Sequence, residues 1–532
     1  MKKFLILLCA LLLLPLCASA IVTVPGSITD IGTEAFAGVN MDALIVPASV
    51  NTVGANVLAD SSASYIWLES ASTQLAGHPG VPFIFGPAGS SAASLSGFYA
   101  QDTLVTDSGL YYALLEDKAL PLCAQSPFTL SGSVVIPKLL NGLPVTSLSQ
   151  LHLSNTRLSM LEIPRYLTAP EGLAVTLYKT MSVDAPVASV TQTPAGKYVS
   201  WSTAGYSGHY GDVSFVWTFE NGDSTVSTTT TEPFIKYAPM QEGSCTATVR
   251  VVDSLGDWAD ATGEAITVTQ AQPTYRALLV GNNYSGAVNE LKGPENDLVA
   301  VRTMLATMTS TPYQITTARN QTGTGMQSAI ASAFAGAEPG DISLFYYSGH
   351  GTEAGALVGV KDSLGRDTYL SVYGLRTALE KIPGTKIVLL DCCHSGAAIN
   401  RSTGTESISL SAFNRAIISG LSAKTRSSEN LEDQGFIVLT ACRKDQQSVS
   451  LSGDTSRYWG VFTYGICYGS GYDEWNQQSL SGLPADQNGD GAITLGEAYQ
   501  GVLERVSYLN SLITVEQATQ YYGDSSFILW KR

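Results

Sequence analysis

Residues Ile342–Gly351 (ISLFYYSGHG) and Lys386–Gly396 (KIVLLDCCHSG) carry the pattern that decides the fold of this chain. Each segment contains a run of mostly apolar residues and ends in a short motif with glycine and reactive side chains. Such a run is typical of a parallel strand that is buried on both faces. Open α/β sheets place their ligands at the carboxyl ends of such strands. Both motifs are therefore predicted to lie at one edge of a sheet.

The two motifs supply an imidazole and a thiol. His350 belongs to the first motif, and Cys393 follows 43 residues later in the second. A thiolate can attack a carbonyl while an imidazole protonates the leaving group, which is the chemistry of a cysteine hydrolase. Successive side chains of a strand point to opposite faces, so only one of Cys392 and Cys393 can face His350. A buried structural thiol and a capping histidine are the alternative.

Composition limits the classes of function. The 532 residues have a formal net charge of −16, with 14% charged and 45% hydrophobic residues. These values indicate a folded protein, and the length predicts about three domains at roughly 150 residues each. The negative charge would repel a phosphate backbone, so nucleic acid is not an expected partner.

The amino terminus is predicted to be a secretory signal peptide. Residues 1–20 combine a basic start, an apolar stretch over Phe4–Leu16 and the small residues Ala18–Ala20. This pattern predicts cleavage after Ala20, and the apolar stretch is too short to span a membrane. No later run of about 18 apolar residues exists, so no membrane span is expected. The mature chain is predicted to be secreted or associated with the cell surface.

Residues 21–180 repeat with a short period. Val22–Gly32 recurs as Leu44–Gly54, an offset of 22 residues, and the strand-plus-proline element returns at Val134–Pro137 and Leu161–Pro164. A period in the twenties with one short strand per repeat predicts a solenoid. The pattern resembles the leucine-rich repeats of bacterial surface antigens. That resemblance implies either a protein or surface ligand for the repeats or a role as a stalk.

Residues 183–270 alternate with a period of two. Val213–Phe219 and Cys245–Asp253 place apolar residues at every second position, and the region is rich in Thr, Ser and Val. The alternation predicts an all-β sandwich of short antiparallel strands. Trp217–Asp223 resembles the tryptophan strand and turn of PKD-type immunoglobulin-like modules. The resemblance implies a spacer.

Residues 274–532 alternate strands with helices. Arg276–Gly281 and Phe436–Ala441 are predicted strands, Asn296–Met308 is a predicted helix, and Phe527–Trp530 is expected to close the sheet. The alternation predicts an α/β domain, in which a mostly parallel sheet carries helices on both faces. The chain is thus predicted to be multidomain, with this α/β domain after the solenoid and the sandwich.

Four motifs of this last domain, in this order, resemble the caspase and metacaspase family of cysteine peptidases: Gly281–Tyr284, Gly293–Asp297, Tyr347–Gly351 and Asp391–Gly396. The interval between the imidazole and the thiol is near the roughly 50 residues expected for caspase-type enzymes. The resemblance implies a caspase-like fold, with Cys393 as the nucleophile and His350 as its general acid and base. It also implies an oxyanion hole formed by the backbone amides of Gly351 and Cys393.

The same resemblance implies a preference for basic residues. Metacaspases hold Arg or Lys with two aspartates, and the matching positions here are Asp297 and Asp391, with Ser348 beside them. Carboxylates attract a guanidinium or ammonium group and would repel the aspartate that animal caspases select. The expected partners are therefore peptides or proteins with basic residues. A carboxylate that buttresses the strand end is the alternative role for Asp391.

Residues 486–497 match the twelve-residue calcium loop. The predicted ligands of Ca²⁺ are Asp486, Asn488, Asp490, the carbonyl of Ala492, Thr494 and Glu497. No cofactor is expected for the chemistry itself. A polar turn without metal is the alternative, because the sequence contains no second loop to pair with this one.

Residues 400–433 form a Ser/Thr-rich stretch that contains Arg401, Arg415, Lys424 and Arg426. In the family that the domain resembles, this region is a mobile loop that is often cut during activation. A peptidase specific for basic residues could process itself there. An uncleaved, solvated loop is the alternative.

The sequence therefore leads to a hypothesis with two rivals. The hypothesis is a secreted cysteine endopeptidase that cleaves after Arg or Lys, possesses a calcium loop and processes itself. The first rival is a surface adhesin whose caspase-like domain is degenerate. The second is another peptidase of the same clan, similar to clostripain, with the same dyad and the same preference.

Overall fold

The computed structural model describes residues 21–154, 156–287, 290–352, 356–394, 436–441, 450–454, 457–511 and 519–532. For residues 393, 394, 450–454 and 457 it describes the backbone alone. The predicted signal peptide and the predicted processing loop at 400–433 lie outside the described residues. Within the described ranges, no helix has the length and apolar character needed to cross a membrane.

The region up to residue 180 consists of short strands and two 3₁₀ helices, Ser91–Ser94 and Gln101–Thr103. Its strands, in chain order, are Ile21–Thr23 (β1), Asp30–Ile31 (β2), Ala43–Val46 (β3), Thr52–Val53 (β4), Tyr65–Leu68 (β5), Gln74–Leu75 (β6), Phe83–Gly86 (β7), Phe98–Ala100 (β8), Leu104–Asp107 (β9), Leu110–Leu114 (β10), Ala119–Ala124 (β11), Ser131–Val135 (β12), Leu139–Leu140 (β13), Leu143–Pro144 (β14), Arg157–Pro164 (β15) and Val175–Tyr178 (β16).

The strands of this region stack in sequence order. β1, β3, β5, β7 and β8 form one parallel sheet, and β2, β4 and β6 form a second. Ile21 pairs with Ala43 and Ala43 pairs with Tyr65, so successive strands are 22 residues apart. Leu44 and Ile66 are fully buried in the core between the sheets. The assignment of these stacked units to the leucine-rich-repeat class stays a prediction.

The region from residue 182 to 269 is built from strands alone in its described residues. They are Ser182–Val183 (β17), Val187–Ala188 (β18), Gln192–Pro194 (β19), Val199–Ser202 (β20), Tyr206–Ser207 (β21), Val213–Asn221 (β22), Ser224–Thr230 (β23), Phe234–Tyr237 (β24), Gly243–Asp253 (β25), Trp258–Thr262 (β26) and Ile266–Thr269 (β27). Strands β22 and β25 pair in antiparallel register along their length. Trp201 and Trp217 are fully buried in the core of this region. Membership in the PKD class stays a prediction.

The remaining region contains strands and helices. The strands are Tyr275–Gly281 (β28), Gln314–Arg319 (β29), Ile342–Gly351 (β30), Leu357–Gly359 (β31), Thr368–Leu370 (β32), Thr385–His394 (β33), Phe436–Thr440 (β34), Ser450–Asp454 (β35), Arg457–Gly460 (β36), Tyr472–Asp473 (β37), Gln478–Ser479 (β38), Ala492–Thr494 (β39), Gln520–Tyr522 (β40) and Ile528–Lys531 (β41). The helices are Pro294–Ala306 (α1), Gly323–Ala333 (α2), Val372–Glu380 (α3), Val461–Gly469 (α4) and Leu495–Asn510 (α5).

The central sheet of this region has the order β29-β28-β30-β33-β34-β40. The first five of these strands are parallel, and β40 is antiparallel at the edge. Helices α1, α4 and α5 contribute buried residues to the core on one face, and α2 and α3 contribute to the core on the other. The predicted α/β layout is confirmed. Strands β30 and β33 lie in the middle of the sheet, where their apolar residues are covered on both faces.

The expectation that Phe527–Trp530 closes the sheet is wrong. The edge belongs to β40, whereas β41 pairs with β39 away from the central sheet. Leu529 and Trp530 are both buried in the core that α4 and α5 share, and the indole N–H of Trp530 donates to Ser470 Oγ at 3.0 Å. Burial against these helices therefore determines the position of the last strand.

Buried ion pairs join the regions. Lys138 Nζ lies 2.7 Å from Asp253 and 3.1 Å from Asp257, which links the first region to the second. Lys197 of the second region and Arg276 of the third both contact Asp341, at 2.6 and 2.7 Å. Each junction therefore contains a cation that is paired with at least one buried carboxylate.

Candidate active site

The two motifs that carry the reactive groups lie side by side. Strands β30 and β33 run parallel, and their register pairs His350 with Cys393 and Ser348 with Asp391. Both motifs thus end at the same edge of the sheet, as the sequence predicts. For Cys393 this statement concerns the backbone.

The neighbouring cysteine occupies a structural position. Cys392 is 3% exposed and belongs to the core that packs against α2 and α3. It pairs with Gly349, one residue before the histidine. Its burial among apolar side chains makes Cys392 unsuitable as a nucleophile. The position beside His350 is that of Cys393.

His350 is held tightly. The residue is 2% exposed, and its ring stacks on that of Tyr284 with the centroids 4.6 Å apart. Its backbone N–H donates to the Tyr284 hydroxyl at 3.0 Å, and its carbonyl accepts from the Tyr347 hydroxyl at 2.8 Å. The sequence motifs contained both tyrosines, but nothing in them indicated this role.

The two predicted specificity aspartates lie together beside the amino terminus of α4. Asp297 accepts from Ser348 Oγ at 2.7 Å and from the Gly460 N–H at 2.9 Å. Asp391 accepts from the N–H and hydroxyl of Thr463 at 3.1 and 2.6 Å. The first N–H groups of a helix lack partners within the helix, and the positive end of its dipole favours an anion. The two aspartates therefore accept hydrogen bonds from N–H groups at the start of α4, and this holds both carboxylates at the same helix end.

Gly460 makes room for this arrangement. A Cβ atom at this residue would overlap the carboxylate of Asp391. Gly460 also donates to Asp297, so one residue orients both acids. Neither Gly460 nor Thr463 was predicted as a site residue, because the sequence alone does not show which helix faces the strand ends.

A third acid, Glu474, belongs to the same buried group and was also missed. It is 1% exposed, and within the described residues neither oxygen of its carboxyl has a nitrogen or oxygen partner, although the Cys467 thiol lies beside it. Burial, followed by the charge of Asp297, raises its pKa well above the ordinary value. Burial, followed by the charge of Asp391, also raises the pKa of Asp297.

Three acids in such surroundings either keep protons or pair with a cation. The pKa of Asp391 is likewise raised by burial, although its bonds with Thr463 oppose this effect. Carboxyl groups that share a dry site cannot all be ionised unless a positive charge compensates them. A guanidinium group, with five donors and a permanent charge, would match unpaired carboxyl oxygens. The buried group of Asp297, Asp391 and Glu474 is called the acidic pocket below.

Two tryptophans lie next to the acidic pocket in the sequence and in space. Trp459 precedes Gly460 and is buried, whereas Trp475 follows Glu474 and is 44% exposed. Their ring centroids are 5.8 Å apart. An apolar surface thus adjoins the acids.

The predicted oxyanion hole is described only in part. Gly351 pairs with His394 across the two strands and is buried. The amide of Cys393 lies in the adjacent register position. The joint role of these amides stays a prediction.

The predicted calcium loop folds as a compact turn. Asp486 accepts from the N–H groups of Gly489 and Gly491 at 2.7 and 2.9 Å, and Asp490 accepts from that of Ala492 at 2.8 Å. Both glycines have left-handed φ values, +74° and +76°. Asn488 also points inward, because its Nδ2 donates to Asp490 at 3.1 Å.

Glu497, the last predicted calcium ligand, takes part in the cap at the start of helix α5. Glu497 accepts from the N–H of Thr494 at 3.0 Å, and Thr494 in turn caps the N–H of Glu497, so the pair starts helix α5. Among the described residues, no three His, Cys, Asp or Glu side chains are placed so that they could hold a metal ion. The other oxygen of Glu497 accepts from the Gln487 N–H at 3.1 Å, so the carboxylate also reaches the loop. Calcium binding by this loop stays a prediction.

Comparisons with known proteins concern the last region. Residues 274–480 match the family described as the caspase domain. The chain is similar to three proteins of Arabidopsis thaliana: Metacaspase-7, at 30% identity over 143 residues; Metacaspase-4, at 29% over 145; and Metacaspase-6, at 29% over 143. Each match covers 24% of this chain. The chain spans 36%, 35% and 39% of the lengths of these relatives, in that order.

The matches and the site agree. Residues 274–480 match the caspase-domain family and 24% of the chain is similar to metacaspases, which supports a cysteine peptidase. The matched range contains the histidine, the cysteine and all three acids of the acidic pocket.

Proposed function

We propose that the protein is a cysteine endopeptidase that cleaves peptide bonds after Arg or Lys. The observation that carries the proposal is the register of β30 and β33, which pairs His350 with Cys393 and places Ser348 and Asp391 two residues earlier. A nucleophile, an acid–base group and one carboxylate of the acidic pocket therefore belong to one pair of strands.

The chemistry follows from the pair of reactive groups. The Cys393 sulfur attacks the scissile carbonyl carbon, and the C–N bond breaks as the imidazolium of His350 protonates the leaving amine. Water then attacks the thioester, gives a proton to the imidazole and releases the acid and the thiolate. Backbone amides of Gly351 and Cys393 would stabilise the oxyanion of both steps.

Specificity follows from the acidic pocket. Ser348 and Asp391 each lie two positions before the reactive residue of their strand, a distance of about 6.6 Å at 3.3 Å per residue. A long side chain is needed to bridge such a distance. A guanidinium or ammonium group at its end would compensate the buried carboxyls of Asp297, Asp391 and Glu474, whereas an aspartate would add a further negative charge.

The remaining parts of the proposal rest on sequence patterns. The signal pattern of residues 1–20 supports secretion, and the basic residues within 400–433 support self-processing. The spacing of residues 486–497 supports a calcium ion with a structural or regulatory role. The repeats of residues 21–180 would bind a protein or surface ligand or act as a stalk.

The test is a peptide assay with the full chain. Fluorogenic peptides that end in Arg, Lys or Asp are incubated with the wild type, with Cys393→Ala and with Cys245→Ala, which removes a buried cysteine of another region. We expect turnover of the Arg and Lys peptides by the wild type and by Cys245→Ala, and none by Cys393→Ala. Turnover of no peptide, or turnover that survives Cys393→Ala, would favour the adhesin with a degenerate domain.

A further inference from the structure

We propose that Tyr284 is a positioning residue that orients His350 and favours the protonated form of its imidazole. The proposal rests on the function proposed above, since it assigns His350 the acid–base role. It concerns three contacts around one residue: a stacked ring and two hydroxyl groups that fix its backbone.

The two hydroxyls clamp the backbone of His350. The Tyr284 hydroxyl accepts from the His350 N–H at 3.0 Å, and the Tyr347 hydroxyl lies 2.8 Å from the His350 carbonyl. The Tyr284 hydroxyl also lies 2.8 Å from the carbonyl of Val358. Each hydroxyl has one proton. When the Tyr284 hydroxyl donates to the Val358 carbonyl and the Tyr347 hydroxyl donates to the His350 carbonyl, the N–H and the C=O of His350 each have a hydrogen-bond partner.

The ring contact acts on the side chain. The rings of Tyr284 and His350 are nearly parallel, with an angle of 22° and a centroid distance of 4.6 Å. The face of an aromatic ring is negative and attracts a cation, and the attraction is larger when water is excluded. Tyr284 is 7% and His350 2% exposed, so the pair is shielded from solvent. The ring of Tyr284 thus offsets part of the cost of burying a charged imidazolium, and its loss should shift the balance toward the neutral imidazole.

The local backbone is built around this contact. Tyr284 has a φ of +54°, which is uncommon for a residue with a large side chain. Strain of this kind persists only where the surroundings enforce it, and it often marks functional sites. A Cβ at Gly349 would lie 2.5 Å from the Tyr347 hydroxyl and 3.0 Å from that of Tyr284. The glycine before His350 therefore leaves room for both hydroxyls.

The loop that carries Tyr284 is anchored independently of the histidine. The N–H of Asn283 donates to Asn320 at 2.9 Å, and the side chain of Asn282 donates to the carbonyl of Val358 at 3.0 Å. Removal of the Tyr284 ring therefore leaves several contacts that keep the loop in place.

The other titratable groups near His350 are the same in the wild type and in every variant of the test. Tyr347 and Cys392 are near Tyr284, and Cys393 and Asp391 belong to the adjacent strand. Asp297 contacts Ser348, two residues before His350. Burial raises the pKa of the Tyr284 hydroxyl, so this hydroxyl is neutral throughout the pH range of the assay.

The experiment measures the rate at which iodoacetate alkylates Cys393, as a function of pH, in the full chain. Fragmentation between Cys392 and Cys393 in the mass spectrometer separates this signal from that of the other cysteines. Alkylation requires the thiolate, and an anionic reagent is attracted by the neighbouring imidazolium. The rate profile is therefore bell-shaped, with an acid limb where the thiolate–imidazolium pair forms and a basic limb where the imidazolium is lost. The variants are Tyr284→Leu, Tyr284→Phe and a chain with trifluorophenylalanine at position 284, which keeps the ring shape and weakens its negative face.

We expect the bell-shaped pH profile of Cys393 alkylation to narrow when the aromatic ring of Tyr284 is removed. In Tyr284→Leu the acid limb moves up and the basic limb moves down, each by about half to one pH unit. Tyr284→Phe keeps the limbs of the wild type but loses several-fold in kcat/KM, because the backbone clamp is weakened. The pH profile of the trifluorophenylalanine chain should also narrow, with both limbs shifted in the same directions as in Tyr284→Leu. Tyr313→Phe, which removes a buried hydroxyl bound to the Leu529 carbonyl, is the control and leaves the profile unchanged.

The possible results are separable. If the alkylation profiles of Tyr284→Leu and of the trifluorophenylalanine chain have the same limbs as that of the wild type, this inference is overturned. Peptide turnover by the wild type would still support the proposed function in that case. If Tyr284→Leu does not fold, the fluorinated chain decides by itself. A wild type whose Cys393 shows no bell-shaped profile and no turnover would instead refute the function on which the inference rests.

Discussion

The acidic pocket makes a prediction about Glu474, whose buried carboxyl has the Cys467 thiol beside it and no nitrogen or oxygen partner among the described residues. The perturbation is Glu474→Gln, which keeps the shape and removes the ionisable group. A hydrogen bond to a charged group contributes about 1.5–3 kcal/mol, and each 1.4 kcal/mol is tenfold. Since Asp297 and Asp391 remain, we expect kcat/KM for an Arg peptide to fall by about 10- to 100-fold.

The same substitution should stabilise the free protein. An unsatisfied buried carboxyl costs about 1–3 kcal/mol, and Gln still needs partners, so the gain is about 1 kcal/mol. For a domain of this size, that corresponds to a rise in Tm of about 2–4 °C. Activity and stability should therefore change in opposite directions.

The pH dependence of stability has a definite sign. The pKa of Glu474 is raised above its ordinary value of 4.5 in the folded state, so the folded state holds its proton more tightly than the unfolded state. This contribution to stability is fully present below pH 4.5 and is lost as the pH rises through the folded pKa. The Tm of the wild type should fall between pH 5 and 8 more steeply than that of Glu474→Gln. Asp257 and Asp341 do not interfere, because their pKa values are lowered from 3.8.

The assay combines steady-state kinetics with calorimetry of the full chain at pH 5 and pH 8. Glu504→Gln, at an exposed position of α5, is the control and should change neither quantity. Unchanged kcat/KM for the Arg peptide, together with a Tm that depends on pH as in the wild type, would refute the assignment of Glu474 to the acidic pocket.

Three further predictions concern other parts of the chain. Gly460→Ala should lower kcat/KM for Arg peptides at least tenfold, because its Cβ displaces the carboxylate of Asp391; activity at the level of the wild type would contradict the geometry of the pocket. Calcium should raise the Tm of the wild type and bind with a measurable heat in titration calorimetry, and Glu497→Gln should abolish both; no heat with the wild type would exclude the predicted loop site. Asp341→Asn should destabilise the chain by about 2–3 kcal/mol at pH 7, because it leaves Lys197 and Arg276 without their shared carboxylate. The pKa of Asp341 is lowered, so its contribution is present above pH 3.8 and lost below it; a denaturation midpoint equal to that of the wild type at pH 7 would contradict the role of this junction.

The reactive centre was predictable because its signals are local. Two apolar runs that end in Gly, His and Cys predict buried strands with their motifs at one edge. Strand alternation showed that only one of the adjacent cysteines can face the histidine, and the structure buries Cys392 in the core. The register of His350 and Cys393 was not predictable, because apolar runs do not determine how two strands align.

The acidic pocket was only partly predictable. Asp297 and Asp391 were found through family resemblance, but Glu474 follows a short strand far along the chain, with no pattern that marks it. Its role depends on how helix α4 and the next turn pack against the strand ends. Burial of a carboxyl is a tertiary property, and a sequence does not display it.

Two further expectations show the same limit. Phe527–Trp530 was correctly seen as an apolar strand, but such a run does not tell which sheet it joins, and burial against α4 and α5 decided this. The calcium loop has the expected residue types, and the Glu497 carboxylate bonds both to the start of α5 and to Gln487 of the loop, while calcium binding stays a prediction. Spacing predicts which side chains are available, and local hydrogen bonds determine where they point.

Covalent labelling tests the central claim most directly. The full chain is treated with a peptidyl chloromethyl ketone that ends in Arg or in Asp, and the modified residue is identified by fragmentation between Cys392 and Cys393. We predict a thioether on Cys393 with the Arg reagent, suppressed by an excess of an Arg peptide, and little labelling with the Asp reagent. Labelling of Cys392, or equal labelling by both reagents, would contradict the account.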